Sequence, residues 1–276
     1  MILFPNAKIN LGLNIIRKRP DRYHDLETVF FPINMQDALE VIQNDNTKNG
    51  VSISLSGSSI NAKPEDNLCF KAFTLLKKEF PQMPAITAHL HKTIPAGGGL
   101  GGGSADGAFM LKLLNEKFAL GLSTEQLLHY ALQLGSDCPF FIINKPCFAT
   151  GRGELLEPVS IDLSMYKLVV VNPGIHVSTS EVFSSIKPSL GSKSVNQVIH
   201  QPVETWKNEL KNDFEDRVFE SYPEIKTIKA KMYSSGAVYA SMTGSGSTVY
   251  GMFSQETEFK NDFPAGYFVK ELNSQL

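Results

Sequence analysis

The sequence has no apolar run near the roughly 18 residues that a membrane-spanning helix needs, so no membrane association is expected. Its first residues, MILFPNAKIN, hold no basic segment followed by a long apolar stretch, and no signal peptide is expected. Cysteine is scarce. Cys69, Cys138 and Cys147 form no Cys-x-x-Cys pair, and an odd, unpatterned set argues for a reducing, cytoplasmic setting. Neither sign of charge dominates: 26 Lys and Arg stand against 28 Asp and Glu, a net charge of −2. That leaves no basic excess to hold nucleic acid by counterion release, so no nucleic-acid partner is expected. Several catalytic signatures are also missing. There is no Gly-x-Ser-x-Gly elbow, no His-Glu-x-x-His helix and no His-Arg-Asp loop, which removes the commonest serine hydrolases, zinc proteases and protein kinases.

What the chain does have is period-two strands, amphipathic helices and one dense glycine segment. Ala7, Ile9, Leu11, Leu13 and Ile15 alternate with Lys8, Asn10, Gly12 and Asn14, which predicts a strand with one buried face. ALEVIQ and VSISLS read as strands around the turn NDNTKNG. EDNLCFKAFTLLKKEF reads as a helix with Leu68, Ala72, Leu75 and Leu76 on one stripe, and AITAHLHKTIP alternates again. STEQLLHYALQLG predicts a helix stopped at Gly135, YKLVVVNPG a strand, YPEIKTIKAKMYSSGA a helix, and YASMTGSGSTVYGMF two strands around a glycine turn. Strands and helices mix in both halves, and the strands alternate rather than run continuously apolar. The expected class is therefore α+β, in two domains, 1–157 and 158–276.

Seven glycines fall between Gly97 and Gly107, directly after an alternating strand and before a helix for which Ser104 is the expected N-cap. Strand, glycine turn and helix together make an anion site, because bare backbone admits close approach and helix N-termini carry unpaired N–H groups. A flexible linker is the plainer reading, and the tight setting between a strand and a helix argues against it. The Walker A lysine is missing, since Gly98 to Ser104 reads Gly-x-x-x-x-Gly-Ser. A dinucleotide Gly-x-Gly-x-x-Gly can be threaded on Gly97, Gly99 and Gly102, a match that any run this rich would offer.

PAGGGLGGGSADGA resembles the phosphate loop of the GHMP kinases, the superfamily of galactokinase, homoserine kinase and mevalonate kinase. NAKINLGLNI, RPDRYHDLETVF, GSDCPFF, ATGRGELLEPV, VNPGIHVSTSEVF, NDFEDRVF and MTGSGSTVYGMF are similar, in the same order, to the branch that phosphorylates a cytidylated methylerythritol at its 2-hydroxyl. Two positions depart from that branch: Arg22 stands where Gly is usual, and Thr243 where Ser is usual. The resemblance implies an N-terminal domain like ribosomal protein S5 and a ferredoxin-like C-terminal domain. It implies ATP as co-substrate and Mg²⁺, with no metal ligands assigned and no oligomeric state indicated.

The resemblance also distributes roles. Pro95, Ala96, Gly97, Gly98, Gly99, Leu100, Gly101, Gly102, Gly103, Ser104 and Ala105 would hold the ATP phosphates. Asn67 and Leu68, otherwise an N-cap and a core leucine, would contact adenine, with Lys92 near the nucleotide. Asp137, otherwise a turn or cap residue between a helix stop and an apolar strand, would be the base that accepts the hydroxyl proton. Lys8, otherwise a solvated strand residue, would stand near that hydroxyl and Asp137, with Asn10 on the same face. Tyr23 and Phe183 would sandwich the cytosine, His24 would bond its polar edge, and Thr179 would lie near the substrate hydroxyls. His89 and His91 share a strand face and could share a metal, although solvent-facing histidines are the commoner outcome. Another GHMP small-molecule kinase and a nicotinamide-dependent oxidoreductase remain the alternatives. An RNA-binding protein of the S5 type is disfavoured by the charge.

Overall fold

The period-two stretches become strands of three four-stranded sheets, and the helices cover two of them. The structure, a computed structural model, describes residues 1–21, 23–47, 50–58, 63–186, 188 and 193–273. The strands are β1 (Ile2–Leu3), β2 (Asn6–Lys18), β3 (His24–Gln36), β4 (Ala38–Gln43), β5 (Val51–Gly57), β6 (Ile86–Lys92), β7 (Cys147–Thr150), β8 (Leu155–Pro158), β9 (Tyr166–Asn172), β10 (Tyr239–Met242), β11 (Val249–Ser254) and β12 (Phe268–Asn273). The helices are α1 (Leu68–Glu79), α2 (Gly102–Lys117), α3 (Thr124–Leu134), α4 (Cys138–Ile143), α5 (Thr179–Ser185), α6 (Val195–Val198), α7 (Val203–Glu209), α8 (Phe214–Ser221) and α9 (Pro223–Ser234). They fall into two units, neither continuous in sequence: 1–7, 35–96 and 101–144, and then 8–34, 97–100 and 145–276. The second unit joins 8–34 to 145–276, and within it β2 and β3 share a sheet with β7 and β8.

The first unit is a sheet of order β1-β4-β6-β5 with α1 to α4. β4 and β5 flank one turn in sequence yet do not pair with each other. β6 lies between them, antiparallel to β4 and parallel to β5. The fully buried Ile86, Ala88 and Leu90 explain why β6 takes the centre. α1 buries Cys69, Ala72, Phe73 and Leu76, a stripe turned slightly from the expected one. α2 is buried on nearly every side after its first turn, from Ala105 through Leu111. α3 opens on a complete Ser123–Gln126 capping box and stops at Gly135, as its sequence predicts.

The second unit holds the sheets β2-β3-β7-β8 and β10-β11-β9-β12. In the latter every pairing is antiparallel, and the first and third strands in chain order, β9 and β11, are central. That is the strand arrangement of a split βαβ unit. The first crossover carries α5 to α9, whereas residues 255–267 of the second carry no helix. Ile225, Ile228 and Met232 of α9 join Val169, Val171, Val249 and Phe253 in one core.

Candidate active site

β2 shows how tertiary context overrides a surface pattern. Its apolar face is buried, and so is its polar face: Lys8 is 3 % exposed and Asn10 2 %. Buried polar groups require partners, and the second unit supplies them. The Lys8 ammonium donates to Asn10 Oδ1 at 2.7 Å and lies 5.0 Å from the centre of the Phe30 ring. Asn10 Nδ2 donates to Thr28 Oγ1 at 3.0 Å, and Thr28 donates to the Gly12 carbonyl at 2.5 Å. The Thr243 hydroxyl accepts from the Asn10 backbone N–H at 3.1 Å and lies 3.3 Å from the Gly99 carbonyl. The substitution at Thr243 therefore keeps the hydroxyl that this network uses and adds a buried methyl. Arg22, the other departure, lies outside the described residues.

The glycine loop is knitted into the same nest. The Leu100 carbonyl accepts from the Lys8 N–H at 2.9 Å, and the Gly98 carbonyl from the Thr248 N–H at 3.2 Å. A Cβ on Gly99 would stand 2.0 Å from the Thr243 carbonyl, and one on Gly246 only 2.3 Å from the Gly98 carbonyl carbon. The two glycine-rich segments thus pack backbone against backbone, a contact open only to glycine. Ala96 and Gly97 are exposed, Pro95 is half-buried, and Leu100 is anchored in the interior.

In the first unit, α2 begins two residues before Ser104. Gly101, at φ 72°, is the N-cap and supplies no side-chain bond. The expected capping role of Ser104 is therefore not taken, because a left-handed glycine turns the chain into the helix directly. The first helical bond runs from Ala105 N–H to the Gly101 carbonyl at 2.9 Å. Gly102, Gly103 and Ser104 consequently present backbone N–H groups without intrahelical partners, the donor set that binds phosphate at a helix N-terminus. Gly103 is exposed, with nothing within 4 Å of a Cβ placed on it. Gly102 instead faces Ile94, 2.9 Å from such a Cβ.

Asp137 precedes α4, where a strand was expected. The apolar run is short enough to fit either period, and Pro139 in its first turn favours helix. The Asp137 side chain makes no capping bond to α4. Burial pushes the neighbouring Cys138 thiol up to about 12, against a hydrogen bond with Ser104. That bond ties the first residue of α4 to the N-terminal turn of α2.

A cavity of about 190 Å³ opens beside that turn, lined among others by Ile53, Leu55, Asn67, Leu68, Gly103 and Asp106. Asn67 caps α1 through a 2.8 Å bond from the Cys69 N–H, so its structural role and its place in the cavity coexist. Lys92 is not free to reach a phosphate. Its ammonium donates to Asp106 Oδ2 at 2.6 Å and to Asp37 Oδ2, all three side chains being buried. Asp37 also receives the N–H groups of Thr93 and Ile94, while Asp106 Oδ1 has no partner among the described residues. One cation thus serves two carboxylates, and burial raises the less supported one, Asp106, to about 7. The sequence reading missed Asp37 and Asp106. A lysine in phase with Ile86, Ala88 and Leu90 on the buried face of β6 was the available signal.

The residues expected to hold the base gather in the second unit. His24 is buried, its Nδ1 has no partner among the described residues, and its ring centre lies 5.5 Å from that of Phe183. Burial lowers the His24 pKa, so the ring is neutral near pH 7. Phe183 packs edge-on against Phe214 at 4.7 Å, while Tyr23 stays 56 % exposed and carries the Arg152 guanidinium 4.9 Å from its ring centre. Thr179 accepts from Ser245 at 3.0 Å. His89 and His91 bond the Ser54 and Ser56 hydroxyls at 2.8–2.9 Å. Among the described residues no three His, Cys, Asp or Glu side chains could hold a metal.

A glycine-rich turn that enters a helix with unpaired N–H groups is equipment that a phosphoryl-transfer enzyme uses to hold phosphate. Residues 67–145 match the model of the GHMP kinase N-terminal domain and residues 197–265 that of the C-terminal domain. The chain belongs to the GHMP kinases. It is 54 % identical, over 97 % of both chains, to 4-diphosphocytidyl-2-C-methyl-D-erythritol kinase of Bacteroides fragilis. It is 48 % identical to the enzyme of that name from Cytophaga hutchinsonii, covering 94 % of each. A crystal structure of 4-(cytidine 5'-diphospho)-2C-methyl-D-erythritol kinase superposes with a TM-score of 0.78 at 27 % identity, over 99 % of both chains. The mevalonate kinase of Methanococcus jannaschii shares the fold at a TM-score of 0.71 and 12 % identity, covering 93 % of this chain and 92 % of its own.

Proposed function

We propose that this chain transfers the γ-phosphoryl group of ATP to the 2-hydroxyl of 4-diphosphocytidyl-2-C-methyl-D-erythritol, in the non-mevalonate route to isoprenoid precursors. The observation that carries this reading is the 54 % identity, spanning 97 % of both chains, to a kinase named for that acceptor. In this reading the N–H groups of Gly102, Gly103 and Ser104 cradle phosphate oxygens, and the cavity lined by Asn67 and Leu68 takes the adenine. Asp137 accepts the proton of the attacking hydroxyl, and the Lys8 ammonium, steadied by Asn10, stabilises charge on the reacting oxygens. Lys92 acts as a positioning residue beneath the α2 turn. Tyr23, His24, Phe183 and Thr179 receive the cytidylated acceptor. The donors beside α2 suit Mg²⁺ shared with phosphates: the Ser104 hydroxyl is a hard oxygen, and such an ion needs no all-protein cage. When bound, Mg²⁺ neutralises phosphate charge.

We further place the family's domain boundary at 157/158, between the two matched segments. The location is cytoplasmic, a reading supported by three free, buried cysteines. The test is ADP release by the purified protein with ATP and the cytidylated acceptor, with ³¹P NMR to locate the new phosphate. Release with mevalonate or homoserine, and none with the cytidylated acceptor, would overturn the assignment.

A further inference from the structure

The turn at residues 150–154 is built around a side chain that the proposed reaction leaves unused. Gly151 and Gly153 adopt positive φ, 70° and 103°, on either side of Arg152. The Gly151 carbonyl accepts from the Leu26 N–H at 2.7 Å, which staples the turn to β3 two residues beyond His24. The Arg152 N–H donates to Glu154 Oε2 at 2.5 Å, and the Arg152 Nε lies 3.5 Å from Oε1 of the same carboxylate. One carboxylate thus meets both the backbone and the guanidinium of Arg152, and the guanidinium lies 4.9 Å from the centre of the Tyr23 ring. Tyr23 is itself fixed at the backbone: its N–H donates to Asp21 Oδ1 at 3.1 Å and its carbonyl accepts from Arg19 at 2.7 Å. An exposed tyrosine with a tethered backbone and a cation over its ring is an aromatic plate set at a chosen angle.

We infer that Arg152 is a positioning residue for the acceptor's pyrimidine. It fixes the plane of the Tyr23 ring from one side and leaves the other face for the base. This rests on the cytidylated acceptor proposed above. The guanidinium is planar and forked, so it can lie on the ring while Glu154 holds its edge. A lysine ammonium would supply the charge without the plane. Arg152 makes its contribution through Tyr23 and has no contact of its own with the acceptor.

The experiment is a steady-state double-mutant cycle on the full chain with Arg152→Ala, Arg152→Lys, Tyr23→Ala and the Arg152/Tyr23 double alanine variant. Arg152→Ala should raise the acceptor KM about two- to fivefold, the range expected of an exposed cation–π contact, with kcat and the ATP KM near those of the unmodified protein. Arg152→Lys should recover only part of the loss. In the Tyr23→Ala background, the second substitution should add nothing. The turn is glycine-flanked and at the surface, and the melting temperature of each variant checks its folding. An unchanged acceptor KM in folded Arg152→Ala would overturn the inference. So would losses that multiply in the double variant, which would mean that Arg152 touches the acceptor itself. If the unmodified protein fails to turn over the cytidylated acceptor, the assigned reaction fails instead, so the two failures are told apart in one assay.

Discussion

Asp137, Lys8 and Asp106 are carboxylates and an ammonium whose surroundings decide what each can do. In its proposed role as proton acceptor, Asp137 would matter more in the transition state than in the bound ground state. Asp137→Asn should therefore lower kcat by about 10²–10⁴-fold while ATP affinity, read by calorimetry, stays near its original value. Near-normal kcat in the folded variant would make Asp137 a turn residue. Asp106 leads to a prediction about pH. Its folded carboxyl is raised to about 7 from an ordinary 3.8, so between those values the native state keeps a proton that the unfolded chain releases. The stability due to this group is full below about 3.8, falls as pH rises toward 7, and is level above. Asp106→Asn removes that titration. Its stability in urea should gain on the unmodified protein from pH 5 to pH 7, and parallel curves would contradict the shift.

Two elements meet at the glycine loop, and their glycines are not equivalent. A Cβ on Gly246 would collide with the Gly98 and Gly99 backbone at 2.3–2.4 Å, where neither partner is a flexible side-chain end. Gly246→Ala should therefore lower stability by about 1–3 kcal/mol and weaken ATP binding with it. Gly103 is helical and unobstructed. Gly103→Ala should raise stability by roughly 0.5–1 kcal/mol, yet its methyl would stand at the first turn of α2, where the proposed function puts phosphate. A loss of at least about tenfold in ATP affinity is expected. Thermal melts and calorimetry on the pair separate packing from binding, and tight ATP binding by Gly103→Ala would move the phosphates elsewhere. Gly102 is a poor probe for the same purpose, since a side chain there meets Ile94 in the core.

Over the whole molecule the balanced charge, the buried cysteines and the helix lengths are of a piece. No helix among the described residues is long and apolar enough to cross a membrane. A ligand that binds only the folded chain stabilises it by mass action, about 2.7 kcal/mol at a hundredfold excess over Kd. ATP should thus raise the melting temperature by a few degrees, and NADH should leave it unchanged. A shift with NADH alone would favour the dinucleotide reading of Gly97, Gly99 and Gly102.

The order of elements was largely legible in the sequence. Period-two alternation marked β2 and β6, Gly135 stopped α3, and the glycine run marked the turn between β6 and α2, because these signals act within a few residues of themselves. The apolar run after Asp137 was ambiguous because six residues fit either period, and Pro139 with the packing of α4 on α2 made it helix. Which strand would separate β4 from β5 was not legible, since pairing over distance follows burial rather than proximity. The polar face of β2 reads as solvated, and only the partners brought from residues 28, 99 and 243 make it an interior network. Likewise nothing in the sequence announces that Asp37 and Asp106 close on the Lys92 ammonium. Local chemistry set the elements and the loop. The tertiary structure decided which charges are buried, and so which groups hold the fold and which remain for the substrate.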